Sequence, residues 1–270
     1  MVSKNIIFDT KNFDRTSLLL LIQSYYRLGM KKISVNISNN SKIINYRLNK
    51  EIYVKDLFQY MVGRLPGSKL NVADENILEI LFPEIDNLTI SRKMLVICQD
   101  LNKLAINFNN SIKVIKSSDM EKYELIHDKI TAKISEVMRI LSQKEYGVKH
   151  KNKVLFHILA QVELIVDIYK NLARIFVKKI NENNFEVSEG CKTVVLLTTN
   201  SVRMWTIFFL DSSKDGAAKL GKNRTSIKEE FLRNMEGHTN FDTYVISHMI
   251  QILELLLDMT EFRFSLKIEV

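Results

Sequence analysis

Apolar residues recur at helical spacing along almost the whole chain beyond about residue 84. Only 8 glycines and 2 prolines occur among the 270 residues. Because these residues mark turns and interrupt helices, their scarcity favours long helices with few tight turns. Helices of such length are expected to pack side by side as an antiparallel bundle. The pattern predicts six of them, at about residues 84–117, 119–145, 150–182, 187–212, 214–236 and 241–265.

The first 83 residues have a mixed pattern that predicts a small α+β module. KKISVNI alternates polar and apolar positions, and it is expected to pair with IINYRL as a hairpin across the polar SNNS turn. Gly29 and Pro66 are expected to mark the ends of two helices. The order strand–helix–strand–strand–helix–strand is typical of a ferredoxin-like module. The predicted elements are strand NIIF, helix RTSLLLLIQSYYRLG, strands KKISVNI and IINYRL, helix VKDLFQYMVGRL, and one or two strands in SKLNVADENILEILF.

One helical pattern occurs twice in the chain. HILAQVELIVD at 157–167 and HMIQILELLLD at 248–258 both carry a His, a Glu six residues later and an Asp four residues after that. The two glutamates are 254 − 163 = 91 residues apart. Because each copy lies in the third of three predicted helices, the sequence is interpreted as an internal duplication. The predicted domains are a module at 1–83, a first three-helix repeat at 84–182 and a second at 183–270.

Carboxylates lie at matched positions of the two copies. Glu163 and Asp167 are one turn apart, as are Glu254 and Asp258, and each pair falls roughly opposite the apolar stripe of its helix. Glu261 adds a third acid to the second set. Like charges one turn apart repel by about 0.2–0.5 kcal/mol, so folding alone does not require this arrangement. All four paired acids are therefore expected on the outer face of the bundle.

Two hypotheses explain these acids. The first is a solvated acidic face, and the second is a site for a divalent or ferric ion, since hard cations bind carboxylate oxygens. The second set is the better candidate, because Lys170 follows Asp167 at a distance that allows it to neutralise the first set. His157 and His248 are expected to pack or to form hydrogen bonds along the helix rather than to bind a metal.

Charge and cysteine content narrow the partners and the compartment. The chain has 39 Lys and Arg residues against 31 Asp and Glu residues, a net charge of +8. Such a surface is either simply solvated or suited to a nucleic-acid or membrane-surface partner. Cys98 and Cys191 form no CxxC motif or disulfide framework, which favours a reduced cytoplasm. No signal-peptide pattern, membrane-spanning run or catalytic motif is recognised, so a non-enzymatic protein without a membrane span is expected.

Together these features resemble the PhoU family of phosphate-uptake regulators, specifically its archaeal-type members. The third helices of that family carry a signature close to LERIGDHAxNIA, in which the Glu and the Asp form an ExxxD metal motif. VELIVDIYKNLA and LELLLDMTEF are the segments of this chain that resemble it. The matching residues are Glu163, Asp167, Asn171 and Ala173 in the first segment and Leu253, Glu254 and Asp258 in the second.

The resemblance extends beyond the third helices. LDSSKDGAAKLGKNRTSIKEEF resembles the family's Asp-then-Ala segment through Asp211, Asp215 and Ala218, and LIQSYYRLGMKKISVNI and LPGSKLNVADENILEILF resemble the entry into the bundle. The signature's Arg, Gly and His are absent. Their positions hold Leu164, Val166 and Ile168 in the first copy and Leu255, Leu257 and Met259 in the second.

The resemblance implies a fold, a function and partners. It implies two three-helix repeats, a metal ion at the ExxxD acids, and a regulator of phosphate transport or phosphate signalling that docks on a transporter ATPase or a sensor kinase. A homo-oligomer is also expected. An alternative function is a nucleic-acid-associated regulator that uses the basic surface and the N-terminal module, and a third is a bundle kept only as an assembly scaffold.

Overall fold

The protein is mainly helical, with a small strand-containing module at its N-terminus. The computed structural model describes residues 4–6, 14–37, 42–46, 49–74, 76–84, 90–143, 149–180, 186–211, 214–233 and 239–266. The elements in those ranges are β1 (Lys4–Ile6), α1 (Arg15–Arg27), β2 (Lys32–Asn36), β3 (Lys42–Asn45), β4 (Lys50–Tyr53), α2 (Val54–Gly63), β5 (Lys69–Asp74), β6 (Ile77–Leu81), α3 (Ile90–Lys113), α4 (Ser117–Gln143), α5 (Lys149–Ile180), α6 (Glu189–Asp211), α7 (Lys214–Arg233) and α8 (Asn240–Ser265).

The long helices lie where the periodicity predicts them. Helices α3 to α8 correspond one for one to the six predicted helices, and their bounds differ from prediction by a few residues. Among the residues described after Ile90, none lies in a strand. The prediction of a helical region is therefore confirmed. The internal duplication and the antiparallel bundle stay predictions.

The N-terminal strands form two separate sheets. One sheet has the order β1-β2-β6-β5, with β1 parallel to β2 and the other pairs antiparallel. The other sheet is the hairpin β3–β4. The predicted pairing of KKISVNI with IINYRL is wrong, because both edges of β2 are occupied by β1 and β6. The element order also differs from the ferredoxin-like order that was expected, and the predicted SNNS turn at 38–41 lies outside the described residues.

The chain divides into two compact units. The first contains Met1–Ile90 and Ala132–Gly147, and the second contains Ser91–Thr131 and Val148–Val270. The second half of α4 therefore belongs to the same unit as the strands. The predicted division into an N-terminal module and two three-helix repeats stays a prediction. The two compact units have other boundaries, because residues 132–147 belong to the first unit.

The core of the first unit follows from alternation and helical spacing. Ile33 and Val35 of β2 are buried, as are Leu78 and Ile80 of β6, which is the pattern of a sheet with one covered face. Helix α1 adds a buried stripe with one-turn spacing: Leu18, Ile22 and Tyr26. Its first turn is closed by a capping box between Asp14 and Ser17, and Gly29 follows its end with a φ of +81°.

A polar stripe on α4 is part of the same unit. Ser135, Arg139 and Gln143 are spaced one turn apart and each makes hydrogen bonds within the unit. Ser135 Oγ accepts from Gln23 Nε2 (3.1 Å), and Gln143 Nε2 donates to the Gly29 carbonyl (3.1 Å). Arg139 is fully buried and donates to two backbone carbonyls. These bonds explain why the end of α4 groups with the strands.

The second unit has an aromatic core. The Phe108 ring of α3 makes edge contacts with Tyr123, Tyr169 and Phe176, with ring centroids 5.7, 5.1 and 5.9 Å away. Phe176 makes a further edge contact with Phe241 at 5.0 Å. These rings join α3, α4, α5 and α8 through edge-to-face aromatic pairs, which are a favoured geometry for such contacts.

Candidate functional site

The predicted site residues lie on α5 and α8, away from the core. Glu163, Asp167 and Glu254 are half-buried, and Asp258 and Glu261 are exposed. The prediction that the paired acids face outward is therefore consistent with the structure. None of them is a carboxylate buried among apolar side chains, a position that would be very costly.

Asp167 is the centre of an ion cluster on α4 and α5. His127 Nε2 lies 2.9 Å from Asp167 Oδ1, and His127 Nδ1 lies 2.8 Å from Asp128 Oδ1. Lys170 also donates to Asp167 Oδ1, and its Nζ lies 3.0 Å from His127 Nε2. The expectation that Lys170 neutralises Asp167 is thus confirmed. His127 is the partner that could not be foreseen, because it comes from another helix.

Burial and charge pull in opposite directions in this cluster. Burial favours the neutral form of Asp167, but hydrogen bonds from His127 and Lys170 outweigh it and lower the pKa of Asp167 to about 2. Burial likewise opposes protonation of His127, but hydrogen bonds to Asp128 and Asp167 outweigh it and raise the pKa of His127. The His127 ring and the Lys170 ammonium therefore share one carboxylate, and His127 is the group in the cluster whose pKa is raised.

This cluster predicts a pH-dependent stability of the second unit. A raised His127 pKa contributes stability that is complete below the unfolded value of about 6.5 and is lost as pH rises through the folded value. A lowered Asp167 pKa contributes stability that is complete above about 4 and is lost as pH falls toward the folded value. The cluster should therefore stabilise most between about pH 4 and 6.5.

We expect wild-type stability to fall when the pH is raised from 6 to 8.5, and we expect His127→Gln to remove most of that slope. The measurement is urea unfolding followed by the emission of Trp205, the chain's single tryptophan, which is buried in α6. At pH 6, Asp167→Asn should cost about 1 kcal/mol, a small value because solvent partly screens the half-buried carboxylate. His248→Gln, which replaces a half-buried histidine of the same unit that lies outside the cluster, should keep the wild-type slope.

A second ion pair also joins α4 and α5. Arg174 donates to both carboxylate oxygens of Glu124, with Nη2 2.9 Å from Oε2, and its Nη1 donates to Asn171 Oδ1 at 3.0 Å. Two parallel bonds of this kind give a well-defined geometry. The two clusters lie one to two turns apart on both helices and set the register of α4 against α5.

Glu254 is held by two cations of α7. Its Oε1 accepts from Arg224 Nε (2.8 Å) and lies 2.6 Å from Lys228 Nζ. Burial opposes the ionised form, but the hydrogen bonds from Lys228 and Arg224 outweigh it and lower the pKa of Glu254. The second acidic set was preferred as a metal site because its own turn has no lysine. The turn indeed contains no lysine, but the neighbouring helix α7 supplies two cations that compete for Glu254.

The two acidic sets use different members of their matched pairs. In the first set the second acid, Asp167, carries the ion cluster, whereas in the second set it is the first acid, Glu254. Sequence reasoning missed His127, Arg224 and Lys228. A usable signal was present for two of them, because Arg224 and Lys228 are one turn apart and match an acid pair with the same spacing.

The two repeated histidines are surface residues. His157 is exposed, with its ring 4.2 Å from that of Phe262 and its Nε2 3.3 Å from Gln161 Nε2. His248 is half-buried, with Nδ1 2.9 Å from the Tyr244 carbonyl oxygen. Both therefore pack and hydrogen-bond along the helix surface, as expected.

A polar cleft of about 490 Å³ lies elsewhere in the second unit, at the end of α3 and the start of α4. Its lining includes Asn107, Ser111, Lys116, Lys122 and Tyr123, and no predicted site residue lines it. None of the predicted acids of α5 and α8 lines this cleft, and Asp167 and Glu254 among them are held in ion pairs.

In this arrangement Glu254 is already paired with two cations. Within the part of the chain that the structure describes, no three His, Cys, Asp or Glu side chains converge as ligands. Glu254 would have to leave Arg224 and Lys228 to bind a cation. Metal binding at Glu163, Asp167, Glu254, Asp258 and Glu261 therefore stays a prediction.

That competition makes metal binding testable. We expect the double variant Arg224→Ala/Lys228→Ala to bind a divalent or ferric ion several-fold more tightly than wild type, because the released carboxylate can then join Asp258. Adding Asp258→Asn should abolish the gain. Isothermal titration and elemental analysis of the purified proteins provide the measurement. Equal metal content in all three proteins would leave the acids as ion-pair partners alone.

A search of protein-family models and of curated proteins finds no match to this chain.

Among the described helices, α6 is long and apolar enough to cross a membrane by length and composition, with 56% of its most apolar window buried. The core helix of a soluble protein has the same properties.

Proposed function

We propose that the protein is a non-enzymatic, PhoU-like regulator of phosphate transport or phosphate signalling that works in the cytoplasm by docking on a partner protein. The observation that carries this proposal is the pair of acid-bearing helices, α5 and α8, whose acids recur at a 91-residue offset (254 − 163 = 91) and lie outward. The sequence resemblance to the PhoU signature supports it, and the partner is a transporter ATPase or a sensor kinase.

The outer surface of α4 and α5 has the chemistry of a docking face. Leu125 and Leu164 are 59% and 47% exposed. Leu125 directly follows Glu124, which pairs with Arg174, and Leu164 directly follows Glu163. Protein interfaces combine an apolar centre with a charged rim. A partner that covers these leucines would leave the Asp167 and Glu124 ion pairs intact at its edge.

The proposal is tested by phosphate uptake in the native cell. Disruption of the gene should change the uptake of radioactive phosphate and remove its repression at high phosphate. Wild-type protein should restore both, and Leu125→Glu/Leu164→Glu should fail to restore them. Co-precipitation should capture the transporter ATPase or the sensor kinase, in amounts that depend on phosphate, with wild type but not with the double variant. Unchanged uptake at both phosphate levels would refute the proposal.

A specific surface favours nucleic-acid binding as a second candidate function. Residues 42–69 contain six Lys and Arg residues and two Asp and Glu residues, so this segment carries 6 − 2 = +4 of the net charge of +8. Tyr46, Tyr53 and Tyr60 in this segment are 70%, 49% and 44% exposed. Proteins that bind single-stranded nucleic acids stack the bases on exposed aromatic rings that are surrounded by basic side chains.

Basic groups already lie over two of these rings. Lys42 Nζ is 5.5 Å from the ring centroid of Tyr53, and it also pairs with Glu51 at 3.2 Å. The guanidinium carbons of Arg15 and Arg64 are 5.3 and 5.6 Å from the ring centroid of Tyr60. Phosphates bound by these cations would bring bases close to the rings.

Anisotropy of a labelled poly-thymidine oligonucleotide tests this candidate. We expect binding that weakens steeply between 50 and 300 mM salt, because phosphate contacts release counterions. Tyr46→Ala/Tyr53→Ala should weaken binding at every salt concentration without changing the slope, whereas Tyr244→Ala on α8 should have no effect. Binding that the first variant leaves unchanged would remove this surface from consideration.

A further inference from the structure

Helix α6 has a narrow exposed stripe with heptad spacing. Between residues 190 and 210, its exposed residues follow one another at intervals of 3, 4, 3, 4 and 3, and all other residues are buried or half-buried. The stripe consists of Thr193, Leu196, Asn200, Arg203, Ile207 and Leu210. Alternating intervals of three and four are the spacing of the seam along which two helices supercoil. We call this set the α6 seam.

The α6 seam is apolar at both ends and polar in its middle. Leu196, Ile207 and Leu210 are 42%, 55% and 51% exposed, although the helix is otherwise packed into the second unit. Asn200 and Arg203 lie between them. A bilayer does not suit this pattern, because an arginine at the centre of a lipid-facing surface is costly. Another helix with the same pattern does suit it.

The α6 seam is complementary to itself in one orientation. When two copies lie antiparallel about a two-fold axis midway between residues 200 and 203, Leu196 faces Ile207 of the second copy. Asn200 then faces Arg203 in the centre, and Thr193 faces Leu210 at the ends. Apolar side chains therefore meet in the Leu196–Ile207 layers on both sides of the polar centre. A parallel pair would instead bring Arg203 against Arg203, which places like charges in contact.

The charges at the ends of the helix agree with this orientation. Antiparallel pairing brings Lys192 level with Asp211 of the second copy, so opposite charges lie at both ends of the seam. In an antiparallel pair, the partly positive N-terminus of each helix also lies beside the partly negative C-terminus of the other, which is favourable. We propose that the protein forms a two-fold homodimer in which the α6 seams of two copies pack antiparallel.

The molar mass measured by static light scattering tests the dimer. We expect wild type to be dimeric at micromolar concentration, and Ile207→Glu to weaken the dimer at least roughly tenfold, since an apolar anchor of the interface would be lost. Leu125→Glu, which replaces a leucine of similar exposure on α4, should remain dimeric. Because Ile207 is 55% exposed, the circular dichroism of the variant should match wild type. A monomeric wild type would overturn the proposal.

Cysteine cross-linking tests the orientation. In the antiparallel pair, residue 196 meets residue 207 of the second copy, whereas the two copies of residue 196 lie about 16 Å apart, too far for a disulfide. Under mild copper-phenanthroline oxidation, an equal mixture of Leu196→Cys and Ile207→Cys should therefore form disulfide-linked dimers, and either variant alone should not. Wild type is the control for the native cysteines, which are both buried.

Three outcomes would overturn the proposal. Efficient cross-linking of Leu196→Cys alone would show a parallel pair. A dimer that Ile207→Glu leaves intact, with no cross-link in the mixture, would place the interface elsewhere. A monomer that floats with phosphatidylcholine vesicles, and loses that property in Ile207→Glu, would assign the seam to a lipid surface.

Discussion

Replacing Arg139 with methionine should lower the unfolding free energy of the first compact unit by about 3 kcal/mol. Arg139 has 0% exposure, and its guanidinium donates to the carbonyls of Tyr26 (2.8 Å) and Pro83 (2.9 Å). Hydrogen bonds that involve a charged group contribute about 1.5–3 kcal/mol each. Methionine has a similar length but no donor, so the Pro83 carbonyl would lose its Arg139 donor.

Two aromatic rings add to this effect. The guanidinium carbon of Arg139 lies 5.0 Å from the ring centroid of Tyr26 and 5.4 Å from that of Phe82, within the range of cation–π attraction. Burial opposes the charge and lowers the pKa of Arg139, so part of the gain is offset by desolvation. Replacing a buried ion pair with apolar residues is often neutral, but here the partners are backbone carbonyls that cannot be replaced along with the arginine.

Amide hydrogen exchange of α1 and of the four-stranded sheet is the measurement, because these elements belong to the first unit. Arg139→Lys keeps the charge but loses the planar fork, so it should fall between wild type and the methionine variant. Lys129→Met removes an exposed charge from the same helix and should change the stability by less than about 0.5 kcal/mol. Protection equal to wild type in Arg139→Met would contradict the anchoring role.

The long helices could be predicted because their information is local. Apolar spacing and the scarcity of glycine and proline are enough to predict α3 to α8, and the same angular argument predicts that Glu163 and Glu254 face outward. The pairing of Lys170 with Asp167 could be predicted for the same reason, since both residues lie on one helix.

The wrong or missing predictions concern contacts between distant segments. The hairpin was assigned to β2 and β3 because they are neighbours in sequence, but β6, about forty residues later, takes the available edge of β2. His127 and Arg224 reach their carboxylates only because helices pack in a particular register. Spacing along one helix carries no information on that register. The one-turn spacing of Arg224 and Lys228 matches the spacing of the acids, but it does not show which carboxylate these cations reach.

Replacing Phe108 with alanine should cost the second unit about 3–5 kcal/mol. Phe108 has 0% exposure, and its ring makes edge contacts with Tyr123, Tyr169 and Phe176. Because the contacted rings come from two other helices, α4 and α5, the loss of the Phe108 ring leaves a cavity that no single side chain can fill. Each aromatic pair also contributes about 0.5–1.5 kcal/mol beyond the burial of its area.

Thermal and urea unfolding followed by Trp205 emission will measure this loss, because the buried indole belongs to the same unit. The expected fall in the midpoint temperature is about 6–20 °C, at 2–4 °C for each kcal/mol in a unit of this size. Phe108→Leu retains most of the volume and should lose about half as much, whereas Ile106→Ala, at a site on the same helix that is 39% exposed, should have a small effect. If Phe108→Ala shifts the midpoint no more than Ile106→Ala does, the four rings do not form the core that holds α3, α4 and α5 together.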